Sequence, residues 1–176
     1  YCHWIEAIRE RLGGVPLVVT ALPAWLDRPA FQHLARVGDG WILQVHSLDK
    51  PRWEDDAFTL CAPHAALKGV EKAARLERPF RVALPTYGYL MAFDGKGGLV
   101  GISAEGPSRS WPADARLREV RSNPAELAGL IRRWERDRPK AMAGVIWYRL
   151  PVETDRRNWP WATLAEVMEG QPPQPR

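Results

Sequence analysis

The sequence predicts an α/β fold built from parallel βα units, with a β-hairpin inserted after the third strand. Three observations carry this. Apolar, β-branched runs of strand length occur at "VPLVVTALPAWL", "GWILQVHSL", "RVALP" and "AGVIWYRLPV", and their near-continuous hydrophobicity is that of strands covered on both faces. Helix-like segments alternate with these runs, and right-handed crossovers turn such an alternation into a parallel sheet. Finally, the Gly-rich "DGKGG" lies between two further apolar segments after the third run, as a hairpin turn does. At 176 residues the chain is too short for a complete eight-stranded barrel, which needs about 250. Half of such a barrel and a small open sheet both remain.

Taken in order, "HWIEAIRERLGG" places Trp4, Ile5, Ile8 and Leu12 at helical spacing, and Gly13 and Gly14 stop the helix. After the first strand, Pro29 follows Asp27 and Arg28 and suits the first turn of a short helix through Ala35. In the second strand Gln44 and His46 share one face while Leu43 and Val45 share the other. A longer helix is expected from Pro63 to Leu76, with Leu67, Val70 and Ala74 inward. Beyond the third strand, "YLMAFDGKGGLVGISAEG" reads as the hairpin, turning at 94–98. Asn123 then caps a helix with Pro124 at its first position and Glu126 placed for a capping box. Leu127, Leu130, Ile131 and Trp134 lie on one side of it. The fourth strand leads through "ETDRRNWPW" to a last helix, "ATLAEVMEG", and a Pro-rich tail expected to fray. One folded unit over residues 1–170 and a tail over 171–176 is the expected organisation.

Composition narrows the function classes. Hydrophobic residues at 45 % with 26 % charged describe a globular chain rather than a disordered one. The longest apolar run is short and holds two prolines, so no membrane span is expected. The net charge of +4 is scattered, with "RLERPFR" and "LIRRWERDRPK" interleaving both signs. A nucleic-acid partner would need a contiguous basic stripe, and none is expected. Cys2 and Cys61 form no CxxC and lie near no His-rich spacing, so neither a metal nor a cofactor is expected. They read as two buried thiols, with a pair in an oxidising compartment as the alternative. The chain opens on Tyr1, partway through a helical pattern and without a signal-peptide pattern, and so reads as a segment of a longer protein. The compartment stays undetermined, with export or the periplasm open for the parent protein.

In parallel α/β architectures chemistry collects at the carboxyl ends of strands, where the following loops converge. Here those ends are residues 20–25, 44–49, 85–89 and 147–155, each bearing aromatic or hydrogen-bonding groups, whereas "GGVPL", "VGDGW", "ERPF" and "KAMAG" at the opposite ends are bland. The chain also holds nine tryptophans, more than packing alone usually requires. Aromatic rings edged with polar groups suit a sugar, whose C–H face packs on a ring while its hydroxyls take in-plane partners. Trp25, Tyr87, Tyr89 and Trp147 are the candidate platforms, and Gln44, His46, Arg149 and Asp155 the candidate partners. Each has a structural alternative: a core or lid role for any one Trp, a satisfied buried imidazole for His46, and a loop-fixing ion pair for Arg149 with Asp155 or Glu153.

"ALPTYGY" resembles the "G-[LI]-P-x-Y-G" seventh strand of chitinase-type (family 18) glycoside hydrolases. "AGVIWYRLPVETD" is similar to their eighth strand, which ends in a tryptophan at the floor of a sugar subsite, and "WILQVHSLD" falls at their sixth-strand M-x-Y-D motif. Together with "PLVVTALPAWL" and "WYRLPVETDRRNW", the whole chain more closely resembles the C-terminal half of a bacterial family of uncharacterised barrel proteins, domain of unknown function 3142. The resemblance implies the C-terminal half of a TIM-type (β/α) barrel. It implies a rim shaped by Pro85 and Tyr87, with Gly88 letting the chain leave the strand, and Trp147 beneath a bound sugar ring. It departs from the hydrolases at Gln44 and His46, which replace an aromatic–acid pair, and Asp49 lies too far along to substitute. The catalytic acid of those enzymes sits on the fourth strand, which would lie upstream of Tyr1.

Glycoside hydrolysis normally needs two carboxyl groups, or one plus a substrate amide, roughly 5–10 Å apart. Asp27, Asp49, Glu153 and Asp155 are the carboxylates at strand ends, and none has a partner at acid/base spacing. No nucleophile elbow, phosphate loop or HExxH motif occurs. The catalytic residues are therefore unassigned and the segment alone is expected to be inactive. A half-barrel leaves two open sheet edges, which invite the missing N-terminal half or a second copy. Three functions stay open: half of a carbohydrate-active hydrolase barrel acting on a polysaccharide, a glycan-binding or envelope-associated module without catalysis, and an α/β interaction domain with no ligand.

Overall fold

The computed structural model describes residues 2–104 and 111–173. In chain order they form α1 (Cys2–Leu12), β1 (Val19–Ala21), a 3-10 turn at Pro23–Trp25, α2 (Pro29–Val37), β2 (Trp41–Gln44), α3 (Pro63–Ala74), β3 (Phe80–Pro85), β4 (Gly88–Phe93), β5 (Leu99–Ser103), β6 (Arg116–Arg121), α4 (Pro124–Arg136), β7 (Met142–Tyr148) and α5 (Trp161–Met168). Tyr1, the expected hairpin end at Glu105 and Gly106, and residues 174–176 of the Pro-rich tail lie outside the described residues.

β1, β2, β3 and β7 make one sheet in that order, and every neighbouring pair is parallel. Alternation along the strands separates two faces. Val19, Ala21, Trp41, Leu43, Phe80, Val82 and Leu84 point into a core that α2, α3, α4 and α5 cover. Trp41 anchors it, edge-on to Phe31 and stacked on Phe80, with both ring centroids 5.0 Å away. α3 turns Ala66, Gly69, Val70 and Ala73 inward, while Leu67 and Ala74 pack at its margin. Asn123 caps α4 through its side-chain oxygen, which accepts from the Ala125 and Glu126 amides at 3.0 and 3.3 Å. Cys61 is buried, but Cys2 is only half-buried on α1; both thiols are free.

The second face corrects one expectation. The strands are not covered on both sides: Thr20 and Arg81, in one register row with Ile42 and Gly144, are exposed. β1 is also far shorter than its apolar run, because among the described residues it is an edge strand paired only with β2, and Val15 and Val18 before it are exposed. The expected hairpin is present, with β4 and β5 antiparallel around the turn at 94–98, and β6 adds a third strand to give a sheet in the order β5-β4-β6. In β6, "RLREVR", Arg118 and Val120 are half-buried while Leu117, Glu119 and Arg121 are exposed, so charge falls on both faces and conceals the strand from hydrophobic patterning.

This second sheet is fastened to the loop between β2 and α3. The Glu54 amide donates to the Gly97 carbonyl and the Leu99 amide to the Arg52 carbonyl, both at 2.9 Å. Arg118 adds bonds to the carbonyls of Glu54 and Asp56 at 2.7 and 2.8 Å. Gly88 starts β4 where a Cβ would lie 2.8 Å from the Val120 carbonyl oxygen and 2.9 Å from Arg121 Cγ, so the strand can approach β6 only as glycine. Gly88→Ala is expected to cost about 1–3 kcal/mol, read as a lower urea midpoint with an unchanged slope.

Candidate functional site: an aromatic mouth at the strand ends

Three strands end together on the face away from the helices. Past β2, Val45 continues the core and His46 turns to the other side, buried at 3 % exposure. Ser47 takes a left-handed backbone (φ 54°), held by its amide on the Leu60 carbonyl at 2.8 Å, and this kink brings its hydroxyl toward β3. Past β3 come Tyr87 and Tyr89, and β7 ends in Tyr148. Pro85 pairs in register with Tyr148, which sets both on the face that carries Gln44, Ala83 and Ile146.

Tyr87 is the hub. Its hydroxyl lies 2.6 Å from Ser47 Oγ and 3.3 Å from both His46 Nδ1 and the Tyr89 hydroxyl. Tyr89 donates to Ser47 Oγ at 3.0 Å, closing a ring of hydroxyls. Tyr148 stacks on His46 with centroids 5.7 Å apart, meets Tyr87 edge-on at 5.8 Å, and is 55 % exposed. Phe58, from the loop bound to the insertion, stacks on the outer side of Tyr89 at 6.5 Å. The result is one exposed ring, Tyr148, on a buried imidazole, beside a wall of hydroxyls.

Burial lowers the His46 pKa to about 4, so the imidazole is neutral at neutral pH and keeps one accepting nitrogen. Burial likewise pushes the Tyr87 phenol above its ordinary range. The buried imidazole and the hub phenol are thus both uncharged at neutral pH. Among the described residues, the hydrogen bonds of the cluster join hydroxyls and imidazole, with no carboxylate among them. Also among the described residues, no group of three or more His, Cys, Asp or Glu could hold a metal ion.

The structure brings His46, Tyr87 and Tyr89 together and sets Gln44 beside them, its side-chain amide donating to the His46 carbonyl at 3.0 Å. Trp147 and Trp25 it does not. Trp147 pairs in register with the core residue Leu84, so it faces the helices and lies against Trp159 with centroids 6.1 Å apart. Trp25, in the turn after β1, tilts onto Phe31 of α2. Arg149 and Asp155 form an ion pair with each other. Burial raises the Asp155 pKa, but bonds from Asn158, the Val152 amide and Arg149 outweigh it and hold the carboxyl below the usual range. The Arg149 carbonyl also accepts from Thr86 and Asn158, so this pair fixes the loop after β7. Of the strand-end carboxylates, Asp27 pairs with Lys72, and Asp49 and Glu153 are exposed. Sequence reasoning missed Tyr148, Ser47 and Phe58. For Tyr148 the one available signal was its place beside Trp147, since neighbours on a strand face opposite ways.

Behind the mouth, the chain is pinned. Trp159 donates its indole N–H to the Ser122 carbonyl at 3.1 Å and its amide to the Thr86 carbonyl at 2.9 Å. Ser122 in turn donates its hydroxyl to the Tyr87 carbonyl at 3.0 Å. The Tyr148–Arg149 peptide is cis.

A family model described as "Domain of unknown function (DUF3142)" matches residues 1–153. No curated protein matches the chain. Among solved structures, the spore cortex-lytic enzyme SleL of Bacillus megaterium QM B1551 aligns at a TM-score of 0.59 and 10 % identity, over 98 % of this chain and 45 % of its own. Chitinase ChiA74 from Bacillus thuringiensis aligns at 0.55 and 11 % identity, over 92 % and 37 %. The class V chitinase from Nicotiana tobaccum aligns at 0.55 and 12 %, over 96 % and 60 %. At such identities the likeness is one of fold: parallel βα units of a chitinase-type TIM barrel with an inserted antiparallel sheet. The chain spans between 37 % and 60 % of the length of these three proteins.

Proposed function

We propose that this chain, which belongs to the DUF3142 family and has a glycoside-hydrolase-like fold, forms over residues 1–170 the C-terminal half of a barrel whose mouth binds a glycan. The observation that carries this reading is the convergence of His46, Tyr87, Tyr89 and Tyr148 with Ser47 at the ends of β2, β3 and β7. Tyr148 offers a flat exposed ring for the C–H face of a pyranose, stiffened from behind by His46. The hydroxyl ring beside it offers in-plane donors and acceptors for sugar hydroxyls, and these uncharged groups suit a neutral saccharide. With no carboxylate in that cluster, the chain supplies binding and positioning rather than the acid and base that glycoside hydrolysis needs.

Titration with a chitin tetrasaccharide, followed by calorimetry, tests this. Tyr148→Ala is expected to weaken binding about tenfold or more, which is about 1.4 kcal/mol. Trp161→Ala, an exposed aromatic on α5, is expected to bind as the unaltered chain does. Equal effects of the two, or saturable binding that ignores Tyr148, contradict the assignment. Hydrolysis of the tetrasaccharide by residues 1–176 alone contradicts the binding-only role.

A further inference from the structure

The loop between β2 and α3 closes on itself. Its ends meet where the Ser47 amide donates to the Leu60 carbonyl at 2.8 Å, as the ends of an Ω-loop do. Inside it, the Asp56 carboxylate accepts from the Arg52 and Trp53 amides at 2.8 and 2.9 Å, and the Asp56 amide returns to the Trp53 carbonyl at 3.1 Å. Both ends of this loop reach one tyrosine. Tyr89 donates its hydroxyl to Ser47 Oγ at 3.0 Å, and Phe58 stacks on its ring with centroids 6.5 Å apart. Tyr89 itself stands on β4, so this part of the mouth keeps its shape only while loop and sheet keep a fixed relation.

One side chain spans the two. Arg118 on β6 pairs in register with Met91, two residues along β4 from Tyr89 and therefore on the same face. It is half-buried, and its Nη1 donates to the carbonyls of Glu54 and Asp56 at 2.7 and 2.8 Å. Hydrogen bonds from an ionised donor are about twice as strong as neutral ones, and here one cation fixes the loop backbone at two points. The other attachments of the loop differ in kind or place. The backbone bonds at Gly97 and Leu99 lie at the far end of β4, where Leu99 pairs with Phe93. Arg116, 53 % exposed, grips only the Glu54 side chain, and exposed pairs contribute little.

We infer that Arg118, which hydrogen-bonds to none of the cluster's groups, is a positioning residue for the mouth: it fixes the loop against the sheet and so holds Tyr89 between Ser47 and Phe58. The inference rests on the reading of that cluster as a glycan-binding mouth.

NMR of the full chain with ring-labelled tyrosine and phenylalanine, first free and then with a chitin tetrasaccharide, tests it. Arg118→Met keeps the aliphatic stem and loses both bonds. It is expected to shift the Tyr89 and Phe58 rings in the free protein and to weaken the tetrasaccharide about fivefold or more. Arg118→Lys, whose ammonium can donate to both carbonyls, is expected to return the ring shifts and to bring affinity back within about twofold. Arg116→Ala is expected to leave rings and affinity as they are. Tyr89 and Phe58 rings unmoved by Arg118→Met, equal movement in Arg116→Ala, or failure of Arg118→Lys to restore them each overturns the inference. The ring shifts of the free protein judge Arg118 by themselves, whereas absence of binding by the unaltered chain overturns the glycan reading.

Discussion

Replacing Trp159 with alanine is expected to lower the unfolding free energy by about 3–5 kcal/mol, and also to weaken the proposed glycan binding although its ring faces away from the mouth. Trp159 is 5 % exposed and lies against Trp147, so truncation leaves a large cavity. It also frees the Ser122 carbonyl. Because Ser122 holds the Tyr87 carbonyl through both its hydroxyl and its amide, the disturbance reaches the hub of the hydroxyl ring. Trp159→Phe keeps most of the volume and loses only the indole bond, for an expected cost of about 1–2 kcal/mol. Urea unfolding of the two variants checks the ranking. A cost below about 1 kcal/mol for the alanine variant would show that the pin behind the mouth is not structural.

A second large effect is expected from pH. Burial holds the folded-state pKa of His46 at about 4, below its ordinary 6.5. A folded pKa depressed in a base means that the unfolded chain takes up the proton first. The stabilisation is therefore complete above pH 6.5 and is lost as pH falls from 6.5 toward 4, by about 3 kcal/mol in all. The carboxylates Asp155, Glu119, Asp56 and Asp94, whose pKa values lie below the usual range, lose their contributions only at lower pH. Stability measured at about pH 7, 6 and 5 thus isolates the imidazole, and His46→Gln is expected to flatten the slope across that interval. A slope unchanged by the substitution would assign the acid sensitivity elsewhere.

Much of this architecture was legible in the residues. Four β-branched runs alternating with helical segments lead directly to β1, β2, β3 and β7 in parallel order, and Asn123 with Pro124 marks the start of α4 by cap chemistry alone. The strand faces were harder. In "AGVIWYRL" apolar residues occupy both parities, so periodicity cannot say whether Trp147 or Tyr148 faces the helices. Only register does, through the pairing of Leu84 with Trp147 and Pro85 with Tyr148. In β2 the contrast of Gln44 and His46 with Leu43 and Val45 makes the faces readable, and Leu43 and Val45 do lie in the core. β6 escaped because its Arg and Glu residues hide the alternation. The pairing of Arg149 with Asp155 depends on a loop closing back on itself, which no local pattern encodes.

The tyrosine cluster as a sugar platform is tested most directly by NMR of the chain carrying ring-labelled tyrosine, with a chitin tetrasaccharide added stepwise. The expected result is a saturable shift of the Tyr148 ring resonances, with smaller shifts at Tyr89 and Tyr87, while ring-labelled Trp25 and Trp161 stay in place. Tryptophan shifts with still tyrosines would contradict the account.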